Sequence, residues 1–488
     1  MAADYDLVVI GNRPAGVRAA IAARQLGARV ALVWTPSATH QWELSGLELR
    51  DIMERTLPTV GATRGNHFPV ANFPNQENHG EYHLAKFAHR WGAEVVRHLT
   101  LAHSPSVLGA LGIDVICETG QFVKYPQLAF EIERRSLRSR AYLLATGATP
   151  HIPQISGLET TPYFTSETIG ELAQRDHLPS QIAIVGASPT SIQLAQIWQQ
   201  WGSQVTLVVA SPQILPKEDP EIAYLLQTRL EASGVRVITQ ATVTQVQEIQ
   251  QKKWVLAGNQ AIESDEIVLT TGYQPDIDRW NIEAANVKWH LTRTGKKRLQ
   301  VNAKLQTTNP RIYACGSTLG GYPFPHIGCY EAQIAVKNAL FFPLFSPNYQ
   351  GIPWGIGTQP EMARVGLTES QARRRYGTRI VVLRQPLSDL PQMQVDGMSM
   401  GFAKLILREN GKLLGAHLLM PQARELIVPL ARTVRQNQGI DAIAAIVPMM
   451  PSYSELFQQV HASWQAQQRQ HHPLRQRLLE TFFTWRRG

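Results

Sequence analysis

Cysteine is scarce in this chain. Its 488 residues contain three, Cys117, Cys315 and Cys329. No two form a CxxC or CxxxxC pair, so neither a zinc-knuckle spacing nor a local redox disulfide is written here, and no metal site is expected. Sparse, unpaired cysteines fit a reducing compartment, so a cytoplasmic location is expected. Long apolar runs are also missing. No window approaches about eighteen uncharged apolar residues, and no membrane-spanning helix is expected. The opening MAADYDLVV has no basic region followed by a long apolar run, so no secretory signal is evident. Lys/Arg-rich runs with interleaved aromatics are absent, which argues against a nucleic-acid partner.

What is present describes a globular protein about three domains long. Hydrophobic residues make up 44% and charged residues 17%, ample for a sizeable core. The net charge is +9. That balance could favour anionic ligands, an acidic partner or an anionic membrane surface. An Arg-rich surface without a dedicated partner is the plainer reading, and we prefer it.

Two strand–turn–helix units stand out. In YDLVVIGNRPAGVRAA, Leu7 to Ile10 forms a β-branched apolar run that meets a turn at Gly11. An alanine-rich helix is predicted from there to about Leu26, with Gly27 as its C-terminal stop and a second strand from Arg29 to Val33. Thirty residues of this kind suit a parallel βαβ crossover. QIAIVGASPTSIQLAQIWQQWGSQVTLVV repeats the plan around Gly186 and Gly202. Two further strands, YLLATGATP and IVLTTGYQP, each run into Thr-Gly with a Pro soon after: Thr146-Gly147 and Thr271-Gly272. Beyond about Tyr349 the pattern changes. GFAKLILRENGKLLGAHLL alternates about an ENGK turn, a hairpin signal, and helical patterns follow to about Gln470.

Taken in order, LLATGATPHIPQISGLE, ILPKEDPEIAYLLQTRLEASGVRV, TTNPRIYACGS, PEMARVGLTESQA and GFAKLILRENGKLLGAH resemble the FAD- and NAD(P)-dependent pyridine nucleotide-disulfide oxidoreductases. Within that family the likeness is strongest to mercuric reductase-like proteins, and it spans nearly the whole chain. The resemblance implies an α/β fold with two Rossmann-like dinucleotide-binding domains and a C-terminal α+β dimerisation domain. It places an FAD-type domain at residues 1–155 and 275–346, an NAD(P)-type domain at 156–274 and a dimerisation domain at 347–470. It implies a homodimer. It puts Gly11, Arg13, Pro14, Ala15, Gly16, Thr146, Gly147, Gly316 and Ser317 at FAD. It puts Gly186, Ser188, Ser191, Gln193, Thr271 and Gly272 at NAD(P)H.

The departures from the family pattern are specific. The phosphate turn G-x-G-x-x-G uses its first glycine for the tight turn, its second for close approach of the pyrophosphate and its third for helix packing. Gly11 and Gly16 hold the outer positions, and Arg13 holds the middle one. Two readings stand side by side. Arg13 assists the phosphates with its guanidinium, or it is an exposed turn residue with no ligand. The acid expected at the end of the second strand, for the adenosine ribose, is Trp34, which cannot accept those bonds. A later Gly-Asp is Gly316-Ser317. In the second unit Ser188 and Ser191 replace glycines, Gln193 stands where a Glu is usual, and Val209 or Ala210 ends the strand without a ribose acid. The stretch expected to carry the redox disulfide, TPSATHQWELSGLELRDIMERTL, contains no cysteine. Near IVPMMPSYSELF, Pro451, Ser452 and Glu455 match the family, but no His lies from Ile446 to Glu455 to serve as base. His461 reads as an ordinary helix residue.

These features predict no catalytic residue of the family's kind. They point to an FAD-dependent oxidoreductase-like flavoprotein without a redox disulfide, linked to NAD(P)H and a small or quinone-type acceptor. The alternative is a non-catalytic dimeric scaffold or regulator with nucleotide binding weakened or lost. The tail at 471–488 is basic and amphipathic: Leu474, Leu478, Phe482 and Trp485 recur at helical spacing among arginines. Peripheral membrane contact through 473–488 is one reading. Docking on the protein's own dimer is the preferred one.

Overall fold

The computed structural model describes residues 3–34, 92, 94–124, 127–133, 135–175, 177–292, 295–320, 324–398, 400–471 and 481–487. The chain opens with β1 (Tyr5–Ile10), α1 (Pro14–Gln25) and β2 (Val30–Val33), then β3 (Asp114–Ile116) and β4 (Ser139–Leu144). Next come β5 (Phe164–Thr165), β6 (Gln181–Val185), α2 (Pro189–Gln200), β7 (Gln204–Val208), α3 (Pro220–Ala232), β8 (Arg236–Ile238) and β9 (Glu266–Leu269). The chain then returns with β10 (Ile312–Ala314) and α4 (Pro325–Leu340). It ends in β11 (Trp354–Ile356), β12 (Met362–Gly366), α5 (Glu369–Tyr376), β13 (Ile380–Pro386), β14 (Phe402–Arg408), β15 (Leu413–Leu419), α6 (Ala423–Arg435) and α7 (Leu456–His471).

Two compact units result. Met1–Pro212 with Ser233–Pro347 forms one, and Gln213–Ala232 with Asn348–Gly488 forms the other. The first unit holds two parallel five-stranded sheets, ordered β10-β4-β1-β2-β3 and β8-β7-β6-β9-β5. Val8 pairs with Ala31 on one side and Tyr142 on the other, in parallel register. Leu7 and Val9 enter one apolar cluster while Val8 and Ile10 enter another, so both faces of β1 are buried. That double burial explains a continuous apolar run in place of alternation.

Strand order also creates the ligand crevices. In the first sheet the chain moves outward from β1 to β2 and β3, then crosses back to place β4 on β1's other side. In the second, β6 is followed outward by β7 and β8, and β9 falls on its far side. Such reversal points, at the C-terminal ends of the strands, are where open α/β sheets bind ligands. Gly11 and Ala145–Gly147 lie at the first, Gly186 and Thr270–Gly272 at the second.

The second unit is built on the antiparallel sheet β11-β12-β15-β14-β13. The ENGK turn joins β14 to β15, as the alternation predicts. Ile427, Leu430 and Val434 of α6, and Phe457, Val460 and Trp464 of α7, share one core with Leu405, Leu407 and Leu418 of the sheet. Residues 481–487 are helical and exposed along their whole length. The remainder of the predicted tail helix, with Leu474 and Leu478, lies outside the described residues.

Candidate cofactor site

At the first reversal point, sequence and packing meet at two glycines. Gly11 has φ of +109°, and a Cβ there would come within 2.4 Å of the Ala145 carbonyl oxygen. A Cβ on Gly16 would stand 2.0 Å from the Gly11 carbonyl oxygen. Both glycines are therefore required by the strand–turn–helix contact itself. Pro14 starts α1 at its first position and has no amide hydrogen, and Ala15 is buried against Gly316 and Gly328. The N-cap residue is Arg13, which forms no side-chain cap. The positive end of this twelve-residue helix thus has no side-chain cap, although the Gly16 amide donates to the Arg13 carbonyl at 2.8 Å.

Arg13 folds inward. Its Cγ, Nε and Cδ lie 3.0, 3.1 and 3.5 Å from where a Cβ of Gly147 would be. Its Nη2 stands 3.7 Å from Oε1 of Glu167, and the two side chains are 23% and 18% exposed. The side chain thus crosses from the helix N-terminus over the Thr146-Gly147 turn. Behind it, the Gly147 amide donates to the Thr318 hydroxyl at 2.9 Å, and the Gly316 amide donates to the Glu331 carboxylate at 2.7 Å. Ser317 is half-buried in the turn between these bonds. Sequence reasoning missed Glu167, Thr318 and Glu331. Glu331 left a signal, a lone acid on the inward side of an apolar helix, where it is only 5% exposed. Glu167 left none, because only folding carries it to Arg13.

The second reversal point differs. A Cβ on Gly186 would sit 2.4 Å from the Thr270 carbonyl oxygen, so this turn too requires its glycine. Here, however, the helix N-terminus is closed by its own serines. The Ser191 amide donates to Oγ of Ser188 at 3.2 Å, and the Ser188 amide donates to Oγ of Ser191 at 2.9 Å. Thr270 donates to Ser191 Oγ at 2.9 Å. Pro189 has no amide hydrogen to offer. Amide donors that would face a phosphate are paired internally. Gln193 is buried in α2, at 3% exposure. Thr271 donates its hydroxyl to the His151 carbonyl at 2.6 Å, and Lys296 donates to the Thr271 carbonyl at 2.8 Å beside Gly272. Burial, followed by the charge of Lys296, holds the His151 imidazole below its usual pKa.

Burial works against the thiolate at each of the three cysteines. All three are free: Cys117 is exposed, Cys329 partly buried and Cys315 buried. Burial pushes each thiol above its ordinary pKa, Cys315 furthest. A reactive cysteine needs the opposite shift. The stretch expected to hold a redox pair, within residues 35–57, lies outside the described residues. Glu455 caps its own turn, accepting the Ser452 amide at 2.9 Å. His461 Nε2 lies 2.9 Å from Oδ1 of Asp441. Trp34 packs against the core on the α1 side of the first sheet.

The profile of the pyridine nucleotide-disulphide oxidoreductases matches residues 5–339, and that of the same family's dimerisation domain matches residues 352–461. The chain belongs to this family. Mercuric reductase of Staphylococcus aureus is 30% identical over 445 residues, spanning 90% of this chain and 78% of that protein. Dihydrolipoyl dehydrogenase of Thermus scotoductus is 28% identical across 92% of this chain and 95% of its own. Among solved structures, the HOCl-induced flavoprotein disulfide reductase RclA of Escherichia coli superposes with a TM-score of 0.76 at 24% identity, covering 93% of this chain and 99% of that one. LpdA of Mycobacterium tuberculosis gives 0.78 at 20% identity, with 93% and 99% coverage. These two likenesses show the fold alone. Members of this oxidoreductase family are FAD-dependent and use NAD(P)H. Its dimerisation domain supports a homodimer. Among the described residues no helix is long and apolar enough to cross a membrane.

The residues present fit FAD at the first reversal point in part. The glycine-framed turn and the uncapped α1 suit a pyrophosphate, and Ser317 is a neutral partner for a hydroxyl. Trp34 offers nothing to a ribose. Arg13 occupies the space above Gly147 and must swing aside for a ligand to share it.

Proposed function

We propose that this chain is an FAD-dependent oxidoreductase-like flavoprotein that works without a redox disulfide. In this reading it passes hydride or electrons from a donor such as NAD(P)H to a small or quinone-type acceptor. When bound, FAD supplies the two-electron chemistry. The protein's part is to bind and orient. The α1 turn and Arg13 would take the pyrophosphate, Ser317 a hydroxyl, and Thr146-Gly147 the adjoining backbone face. Gly186, Ser188, Ser191, Gln193, Thr271 and Gly272 would frame the NAD(P)H side. The FAD-type domain would comprise residues 1–155 and 275–346, the NAD(P)-type domain 156–274, the dimerisation domain 347–470 and the tail 471–488.

One observation carries the reading: the first phosphate turn keeps both packing glycines and an uncapped helix end, while the three thiols are scattered and pushed toward the protonated form. Disulfide or mercuric-ion reduction by the family mechanism needs a thiol pair that this sequence does not contain. A second reading, a dimeric scaffold or regulator, draws support from the self-closed α2 turn and from Glu455 acting as a cap. The visible spectrum of the purified protein separates them. Flavin bands, present on isolation or gained on adding FAD, are expected. A colourless protein that stays colourless with excess FAD leaves the scaffold.

A further inference from the structure

Arg13 sits between the Gly147 turn and the Glu167 carboxylate. Its side chain starts at the first residue before α1, fills the space a Cβ on Gly147 would need and ends 3.7 Å from the Glu167 carboxylate. We propose that Arg13 and Glu167 form a latch on the dinucleotide crevice: the guanidinium rests on the Glu167 carboxylate in the empty protein and exchanges it for the pyrophosphate when FAD enters. This rests on the flavoprotein reading above and assigns a role to the one residue that most departs from the family's turn.

The physics supports an exchange more than a fixed plug. At 3.7 Å the closest approach is too long for a hydrogen bond, although the Glu167 oxygen that faces Arg13 is itself buried. A guanidinium pairs with a phosphate through two parallel hydrogen bonds. The pyrophosphate would also meet the N-terminal end of α1, which carries no side-chain cap. Nothing covalent fixes Arg13 over Gly147: its stem and Nε lie there, and rotation about its side-chain bonds clears the turn. Trp34 and Ser317 stand in the two positions where the family resemblance implies acids, and the Glu331 carboxylate is engaged by the Gly316 amide at 2.7 Å. Recognition therefore shifts from ribose hydroxyls to phosphate charge, and Glu167 is the carboxylate that competes with it.

The test is a binding measurement that does not depend on turnover. FAD is titrated into apoprotein by fluorescence quenching, and inorganic pyrophosphate by calorimetry, for the wild type, Glu167→Gln, Arg13→Gly and the double variant, at two salt concentrations. The latch requires Glu167→Gln to bind both probes several-fold more tightly. Arg13→Gly, although it restores the family glycine, must bind both at least tenfold more weakly and with a shallower salt dependence. Glu167→Gln must have no effect once Arg13 is gone. Arg13→Lys, which keeps the charge and loses the planar fork, must fall between. FAD binding as tight or tighter in Arg13→Gly overturns the latch and makes Arg13 a plug, and an unchanged Glu167→Gln overturns it by removing the competing carboxylate. If pyrophosphate follows the predicted order but no variant binds FAD, the latch stands and the flavoprotein reading falls. If no protein, wild type included, binds pyrophosphate or FAD while thermal melting shows all of them folded, the latch falls as well.

Discussion

Lys404 is 3% exposed, yet its ammonium lies 2.8 Å from Asp219 and 2.9 Å from both Glu221 and Glu369. Arg364, His417, Lys404 and Arg384 form one row across four neighbouring strands, each directly opposite the next. A cluster of this kind is far more sensitive to losing one member than its net worth suggests. Lys404→Met should leave Asp219, at 0% exposure, beside an apolar side chain. It is expected to cost about 3–5 kcal/mol in urea unfolding. The same row sets an acid limit. Burial opposes the charged form of Glu369, but hydrogen bonds from Lys404 and Arg373 outweigh it and bring the carboxyl down to about 2. Its contribution is complete above the ordinary carboxyl range near 4.5 and is lost as pH falls from there through about 2. Burial, then the charge of Arg364, lowers the His417 imidazole from 6.5 to about 4. The unfolded chain therefore takes up the proton first, and stability is complete above pH 6.5 and falls toward pH 4. His417→Leu should remove most of that slope, up to about 1.4 kcal/mol per pH unit, as read from unfolding at pH values on either side of the window. A slope unchanged by the substitution would place the acid sensitivity elsewhere.

At the scale of elements, two helix starts made from one plan have diverged. α1 begins with an uncapped arginine, and α2 with a reciprocal serine cap. Ser188→Ala should destabilise the protein by about 1 kcal/mol, the usual worth of such a cap. The equivalent test on α1 is steric. Gly16→Ala drives a methyl into the Gly11 carbonyl, and a loss of at least about 2 kcal/mol in chemical denaturation is expected, since no flexible side chain is there to yield. The two turns should also differ toward ligands. Ser191→Gly frees the amide of Ser188, and NADH binding, followed by its fluorescence, should tighten relative to the wild type. Equal affinity would mean that the serine cap opens readily. The elements themselves were legible in the sequence. Continuous apolar runs marked doubly buried strands, Gly27 and Gly202 marked helix ends, and the ENGK turn marked the β14–β15 hairpin. Their use was less legible, because whether Ser188 faces a phosphate or Ser191 depends on a side-chain torsion that spacing does not fix.

For the whole molecule, the dimerisation domain leaves Val447, Met449 and Met450 87%, 84% and 71% exposed in the single chain. Exposure of this kind marks an association surface. Met449→Asp should convert the homodimer to monomer in light scattering while circular dichroism stays unchanged. A dimer that survives would place the interface elsewhere. The sequence by itself determined the two βαβ units, the antiparallel end domain, and the fact that residues 35–57 hold no cysteine and 446–455 no histidine, because burial on both faces of a strand and the identity of a side chain are properties of local residues. Tertiary structure alone decided where Arg13 lies, which turn is capped, and which acids meet Lys404. Those outcomes join residues as far apart as Arg13 and Glu167, or Asp219 and Lys404, and only closing the chain onto itself brings such pairs within reach of one another's charge.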